Sequence, residues 1–187
     1  RKVDGDQEII VGVYVDDIIS AHCGDEMFKV FSEKFKKRFN SKDSKILNWF
    51  LGMAIDQHDD FSVDVCHSLS IEKLVEKYLP GNTTTREYPS NEIFNKLDRA
   101  QSDTERAKME SLPYASLVGA LLYIAVMSRP DVAFHTSILA KFLSDPSPDG
   151  WKAAIILLQY LDSTKARKMY FSGKVEVPPK LSKNAKD

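Results

Sequence analysis

The sequence predicts an α+β fold in which antiparallel β-hairpins come first and a bundle of helices follows. β-Branched and aromatic residues dominate two early stretches, 9–20 and 46–65, and such residues favour strands. Turn-forming acids interrupt each stretch, which is typical of hairpins. Between residues 115 and 161, apolar residues instead recur every three or four positions, the spacing of one helix face. We therefore place the boundary between sheet and helices near residue 66.

The composition describes a chain that can fold and that has no strong charge bias. It has 187 residues, of which 43% are hydrophobic, so it can bury a core. The net charge of -1 disfavours a stand-alone nucleic-acid-binding module, because any phosphate contact must come from local patches. The longest apolar stretch, 115–127, is too short to span a bilayer, so we predict a buried helix and no membrane partner.

Cysteine usage and the first residues bear on the setting of the chain. Its two cysteines, Cys23 and Cys66, come without a signal-peptide pattern. This usage fits a reducing compartment and no disulfide framework. The sequence opens on Arg1 rather than on a methionine and enters a strand almost at once. We therefore expect it to be a piece of a longer protein.

The first hairpin carries the residues with the clearest chemical potential. In the run from Ile9 to Ser20, Asp16 and Asp17 interrupt an otherwise apolar stretch. Asp is depleted within strands and tolerated in turns, so we place the two acids at the bend with a strand on each side. At a tight turn both carboxylates can approach one site, and such a pair suits a hard divalent cation such as Mg²⁺ beside substrate phosphates. A solvated acidic turn is the alternative.

A helix and a second hairpin complete the first part of the chain. Asp25 is a suitable N-cap for the helix. Its apolar positions repeat at helical spacing, at Met27, Val30, Phe31, Phe35 and Phe39. Its other face is either a solvated surface or a phosphate contact, with Lys29, Lys34, Lys37 and Arg38. The second hairpin turns at Asp59-Asp60, between an apolar strand that ends near Ile55 and a return strand over 61–65.

The next part of the chain predicts short helices and a long loop. Ser70 can cap a helix that Pro80-Gly81 ends, and a loop follows to about residue 97. Ser102 and Glu105 have the spacing of a capping box at the start of another short helix.

Three packed helices are predicted after that, over about 114–128, 130–143 and 149–161. Pro130 suits the first turn of the second helix, and Asp149 suits the N-cap of the third. A short strand is predicted at Met169-Tyr170-Phe171. The tail over 177–187 has too few apolar groups to fold.

The string Tyr14-Val15-Asp16-Asp17 between two apolar strands resembles the Tyr-x-Asp-Asp motif of reverse transcriptases. Several motifs in one order are more specific than any single motif, and the resemblance spans about residues 9–172. The chain departs from the family at Ile71 and Leu74, where Gln and Tyr are common. The further strings stand in the order found in copia-type retrotransposon polymerases: Phe50-Leu51-Gly52-Met53, Leu112-Pro113-Tyr114-Ala115-Ser116-Leu117-Val118-Gly119, Ser128-Arg129-Pro130-Asp131-Val132-Ala133 and Tyr160-Leu161.

The resemblance implies a partial antiparallel palm sheet followed by a helical thumb. Residues 1–66 would be the C-terminal part of the palm, with the catalytic hairpin and a hairpin that grips the primer terminus. Residues 67–165 would be the helical thumb and connection, and residues 166–187 a short strand and a disordered tail.

The resemblance also implies a function, that of an RNA-directed DNA polymerase, in the full-length protein. Such an enzyme extends a primer with dNTPs on a nucleic-acid template by two-metal nucleotidyl transfer. Asp16 and Asp17 would be catalytic ligands of Mg²⁺ or Mn²⁺, and Tyr14 and Val15 would contact the RNA or DNA template-primer. The enzyme would act inside the cell, in a cytoplasmic virus-like particle or in the nucleus. The primer grip would consist of Phe50, Leu51, Gly52 and Met53.

Charge arithmetic limits what this sequence can do alone. Two divalent ions bring four positive charges, and two carboxylates neutralise only half of them. Polymerases of the family supply a further Asp from an earlier palm strand, and Asp4, Asp6 and Glu8 do not resemble that motif. We therefore expect the fragment alone to be inactive.

Two other hypotheses stand beside the polymerase fragment. One is a non-catalytic relic, or a repurposed fragment that binds nucleic acid or protein. The other is a structural α+β domain in which the acidic hairpin is an ordinary turn. The oligomeric state is not specified by the sequence.

Overall fold

The computed structural model describes residues 1–39, 41, 46–89 and 92–173. Within these ranges the chain combines antiparallel strands with six α-helices, which confirms the mixed class predicted. It divides into two compact units, Arg1–Phe50 and Leu51–Asp187, which we call the N-unit and the C-unit. The subdomain boundaries expected at residues 66 and 165 stay predictions. The predicted tail over 177–187 lies outside the described residues.

The N-unit contains a three-stranded antiparallel sheet, ordered β1-β2-β3, and one helix. Alternate residues of a strand point to opposite faces, so Ile9 and Val11 face the helix, whereas Ile10 and Tyr14 point away from it. Ile9 is buried, and none of the helix residues is. The elements are β1 (Lys2–Asp4), β2 (Gln7–Tyr14), β3 (Asp17–Cys23), α1 (Asp25–Arg38) and β4 (Trp49–Phe50).

The start of α1 differs from the prediction that Asp25 is its N-cap. The N-cap residue is Gly24, which has a φ of 92° and no side chain to offer. The side-chain oxygen of Gln7 instead accepts a hydrogen bond from the backbone N–H of Met27, at 3.1 Å. Asp25 and Glu26 lie in the first turn, where carboxylates interact favourably with the helix dipole. The cap is therefore supplied by β2, which local spacing along the helix cannot reveal.

The C-unit contains a second antiparallel sheet, in which β6 pairs with both β5 and β7. The β5–β6 hairpin and β7 confirm two sequence predictions. The elements are β5 (Met53–Gln57), β6 (Val63–Cys66), α2 (Ser68–Tyr78), a 3₁₀ turn (Glu92–Lys96), α3 (Asp103–Glu110), α4 (Tyr114–Met127), a 3₁₀ turn (Pro130–Val132), α5 (Ala133–Ala140), α6 (Pro148–Ser163) and β7 (Met169–Phe171).

The core of the C-unit lies mainly between α4, α5 and α6. Six of the residues of α4 are buried, namely Tyr114, Leu117, Val118, Leu121, Ile124 and Ala125. The Tyr114 hydroxyl donates a hydrogen bond to the carbonyl of Leu139 at 2.9 Å, and burial raises the pKa of Tyr114 to about 12. No single described helix is long and apolar enough to cross a membrane, although α3 and α4 together, bent by 68°, meet the criteria of length and composition.

Helix starts were predicted with mixed success. Ser102 accepts a hydrogen bond from the Glu105 N–H at 3.2 Å, which confirms the predicted cap of α3. The prediction that Asp149 caps α6 is wrong, because Ser147 is the N-cap and accepts from the Gly150 N–H at 3.2 Å. Pro148 occupies the first turn of α6, where its missing N–H costs nothing.

Two further predictions needed correction. Ser70 lies inside α2, which begins at Ser68 after the N-cap residue His67. The predicted loop from 81 to 97 contains a 3₁₀ turn, and Phe94 within it is buried against the ring of His135. One buried aromatic residue thus anchors a segment that its composition marked as a loop.

Candidate active site

The first hairpin turns one residue earlier than predicted. Tyr14 pairs with Asp17, so the two-residue turn consists of Val15 and Asp16, and Asp17 is the first residue of β3. Propensity placed both acids at the bend, whereas the register of the strands decides the turn. Gly12 contributes to this register, because a Cβ atom there would lie 3.0 Å from Cγ2 of its partner Ile19.

Val15 has an unusual backbone conformation. Its φ is 54°, whereas Asp16 lies outside the positive-φ region. A positive φ at the first central residue is typical of a type II′ turn, where glycine is usual. For a β-branched residue this conformation costs roughly 1–2 kcal/mol. Val15 is also 86% exposed, so the turn holds a strained residue at its tip without burying it.

The hairpin presents its acids to solvent. Asp16 and Asp17 are both exposed, and Tyr14, opposite Asp17, is 58% exposed. Tyr14 and Asp17 lie on the sheet face that points away from α1. Exposed carboxylate oxygens are ligands that Mg²⁺ and Mn²⁺ accept. Among the described residues, no third acidic, His or Cys side chain joins Asp16 and Asp17 in a cluster of potential ligands.

The residues predicted to grip a primer lie around a second tight turn. Leu51 and Gly52 have φ values of 50° and 79°, and two successive positive values are typical of a type I′ turn. Phe50 and Leu51 are half-buried, and Met53 is buried. The turn therefore offers its backbone and Gly52 rather than the Met53 side chain. Sequence reading detected a hairpin in this region and missed this turn.

Two hydroxyl groups hold the carbonyl groups of this turn. Ser70 of α2 donates a hydrogen bond to the Gly52 carbonyl at 2.9 Å, and the hydroxyl of Tyr123 in α4 donates to the Leu51 carbonyl. Sequence reasoning missed both roles. The signal for Tyr123 was a phenol in an otherwise apolar helix, because a phenolic O–H seeks a hydrogen-bond partner.

A cluster of potential metal ligands lies on the small sheet of the C-unit and was not predicted. One ligand atom each from Asp56, His58 and Asp64 lie within 4.8 Å of one another. The ammonium group of Lys168 lies 3.1 Å from Asp64 and 3.5 Å from Asp56. Its hydrogen bond to Asp64 lowers the pKa of that carboxyl and raises the pKa of the lysine. Lys168 thus already supplies the positive charge that these acids attract.

His67 is buried beside the primer-grip turn and is predicted to make the C-unit acid-sensitive. Its Nδ1 lies 2.6 Å from the Ser128 hydroxyl, and its Nε2 has no hydrogen-bond partner. Burial lowers the pKa of His67 below its ordinary value of 6.5. The unfolded chain therefore binds more protons than the folded chain once the pH falls below about 6.5, and stability falls with it until the pH passes the folded pKa.

The measurement is the urea midpoint of the C-unit between pH 7.5 and pH 5. We expect the midpoint to fall toward pH 5 in the unmodified chain and to fall less in His67→Gln. Burial also lowers the pKa of His135, so some slope should persist in that variant. An equally steep fall in the His67→Gln chain would contradict the prediction.

Comparisons with known proteins follow the same residues. Residues 1–91 match the family described as reverse transcriptase (RNA-dependent DNA polymerase). The Pol polyprotein from transposon TNT 1-94 of Nicotiana tabacum is 28% identical over 169 residues, which are 88% of this chain and 13% of that protein. A putative transposon Ty5-1 protein of Saccharomyces cerevisiae is 26% identical over 86% of this chain and 51% of its own length.

A third relative carries a different kind of name. The secreted RxLR effector protein 161 of Plasmopara viticola is 42% identical over 64 residues, which are 34% of this chain and 45% of that protein. No solved structure matches the chain. The family match and the transposon relatives confirm the resemblance drawn from the motifs: residues 1–91 belong to the reverse transcriptase family, in its copia-type retrotransposon branch.

Proposed function

We propose that this chain is the palm and thumb part of an RNA-directed DNA polymerase that extends a primer with dNTPs on a nucleic-acid template. The observation that carries the proposal is the first hairpin, which exposes Tyr14, Val15, Asp16 and Asp17 at one turn within the matched residues. The Pol relatives are much longer proteins, and the chain spans 13% of one and 51% of another. The reaction is therefore proposed for the longer protein, inside the cell.

The roles of the hairpin residues follow from their chemistry. Asp16 and Asp17 would hold divalent cations by their carboxylate oxygens. Bound Mg²⁺ or Mn²⁺ would supply activation of the primer hydroxyl and stabilisation of the leaving oxygen. Tyr14 and Val15 lie next to these acids and would contact the template-primer. In the C-unit, Phe50 precedes the turn of Leu51, Gly52 and Met53, whose backbone would contact the primer.

A metal titration tests the assignment of the two acids. We expect Asp16→Asn and Asp17→Asn each to weaken Mn²⁺ binding at least about tenfold, because each removes one charged ligand. The measurement is the free Mn²⁺ signal in electron paramagnetic resonance. Asp6→Asn is the matched control, since Asp6 is an exposed acid at the β1–β2 turn of the same sheet. Equal Mn²⁺ affinity in the control and the two site variants would overturn the assignment.

A second prediction concerns activity of the fragment. The two carboxylates balance at most half the charge of two divalent ions, so the 187-residue chain is expected to extend no primer. The measurement is extension of a labelled primer on an RNA template with Mg²⁺ or Mn²⁺ and dNTPs. Extension that disappears in Asp16→Asn would contradict the expectation of inactivity while supporting the role of Asp16.

The second candidate function is a repurposed fragment that binds nucleic acid or protein without catalysis. The effector relative favours it, because a 64-residue stretch similar to this chain occurs in a protein with a non-polymerase name. A test of phosphate binding by charge reversal at 165–168 would disturb the fold, because Lys165, Arg167 and Lys168 form ion pairs. The exposed Lys34 and Lys37 of α1 are better targets.

Salt dependence separates the two kinds of partner. If the chain binds duplex phosphates, affinity falls linearly with the logarithm of salt concentration, and Lys34→Glu with Lys37→Glu reduces that slope by about two contacts. The measurement is fluorescence anisotropy of a labelled RNA–DNA duplex. Failure to bind the duplex at any salt concentration would favour a protein partner.

A further inference from the structure

The Leu51–Gly52 turn needs support from outside its own residues. Leu51 has a Cβ atom and still adopts a φ of 50°, which is unfavourable for any residue except glycine. Its carbonyl and that of Gly52 both accept side-chain hydrogen bonds, from Tyr123 and Ser70. The two donors belong to different helices, α4 and α2. The conformation of the turn is thus fixed by two helices that are distant from it in sequence.

The donor from α4 is itself held in place. The Tyr123 ring packs edge-on against the ring of His67, with centroids 5.4 Å apart and planes at 86°. His67 in turn lies 2.6 Å from the hydroxyl of Ser128, which follows α4. Both His67 and Ser128 are buried. The phenol is therefore aimed at the turn by a packed and hydrogen-bonded base, and it does not reach there by chance of a mobile side chain.

The outer side of the same arrangement is open. Tyr123 is 42% exposed, and Val126, one turn further along α4, is 77% exposed. A Cβ atom placed on Gly52 would meet only the Ser70 hydroxyl, at 3.4 Å. A ligand backbone can therefore approach the turn closely at Gly52. The turn and the exposed side of Tyr123 form one surface within the C-unit.

We propose that Tyr123 and Ser70 are positioning residues, which set the conformation of the Leu51–Gly52 turn so that its backbone can contact the primer strand of a bound duplex. The inference rests on the proposed function for the identity of the ligand. Tyr123→Phe removes only the hydroxyl and keeps the ring against His67. Ser70→Ala removes the second donor, and Ser70→Thr retains it.

Two measurements on the 187-residue chain test the proposal. The first is amide hydrogen exchange at residues 51–53, which we expect to accelerate at least tenfold in Tyr123→Phe and in Ser70→Ala. The second is anisotropy with a labelled RNA–DNA primer-template, for which we expect three- to tenfold weaker binding in the same variants. Ser70→Thr should restore both values. Tyr88→Phe is the control, because Tyr88 is 72% exposed in a loop.

The outcomes separate this inference from the proposed function. Unchanged exchange in Tyr123→Phe and Ser70→Ala would overturn the positioning role itself. Faster exchange with unchanged duplex affinity would overturn the link between the turn and the primer. An unmodified chain that binds no duplex would overturn the proposed function and the ligand named here, whatever the exchange rates.

Discussion

Replacement of Asp131 by asparagine is expected to lower the free energy of unfolding of the C-unit by about 3 kcal/mol, because it leaves a buried guanidinium group without its counter-ion. Arg129 is only 3% exposed, and two of its nitrogens donate to the Asp131 carboxylate at 2.9 and 2.8 Å. Burial alone would raise the pKa of Asp131, but the hydrogen bonds from Arg129 and Tyr160 outweigh it and hold that pKa below its usual range.

The effect should be large because the pair connects distant parts of the unit. Arg129 also donates to the backbone carbonyl and the hydroxyl of Thr164 at the end of α6, at 3.1 and 2.7 Å. Tyr160 donates its hydroxyl to Asp131 at 2.7 Å and accepts from Arg167 at the same distance. Loss of the carboxylate charge therefore weakens the attachment of α6 to the segment after α4.

Urea unfolding followed by the fluorescence of Trp151 measures this effect. Trp151 lies in α6, and Trp49→Phe makes it the sole tryptophan of the chain. Asp149→Asn is the matched control, because its ion pair with Lys152 is exposed on both sides and should contribute less than about 0.5 kcal/mol. A loss below about 1 kcal/mol in Asp131→Asn would show that the pair does not hold the two segments together.

Replacement of Leu121 by alanine is the second change with a large expected effect. Leu121 is 0% exposed in the middle of α4, where it belongs to the core cluster formed with α5 and α6. Removing three buried carbon atoms and leaving a cavity should lower the free energy of unfolding by about 3 kcal/mol, within a usual range of roughly 2–5. The same fluorescence measurement reports the change.

The control for this prediction lies on the same helix. Val126 is 77% exposed, so Val126→Ala should change the free energy of unfolding by less than about 0.5 kcal/mol. The contrast isolates burial from helix propensity, since both variants end in alanine. Similar losses in the two variants would mean that the exposed side of α4 is covered in solution.

The comparison of sequence with structure divides along the range of the interactions. The hairpin at Tyr14 to Asp17 and the cap at Ser102 depend on residues close in sequence, and both were predictable from local pattern. The bend was misplaced by one residue because the preference of Asp for turns was weighed, whereas pairing of Tyr14 with Asp17 decides the register. A single chain does not reveal which cross-strand pairs form.

The features that escaped prediction depend on distant partners. Gln7 caps α1 from 20 residues away, and Tyr123 reaches a carbonyl 72 residues away. The pairing of Arg129 with Thr164 spans 35 residues. Capping and hydrogen-bond needs show that such groups require partners, but only the fold supplies their identity. The roles of Asp16, Asp17 and the primer-grip residues stay predictions for the experiments above.

The pairing of β7 with β6 sets the order in which the C-unit can assemble. Met169 lies opposite Val65 and Phe171 opposite Val63, so this contact closes a loop of about a hundred residues, with a high entropic cost. The helices between them make shorter-range contacts and can form first, with β7 docking last. The neighbouring ends of the unit also make it a suitable subject for circular permutation, with a new break in the exposed loop near Tyr88.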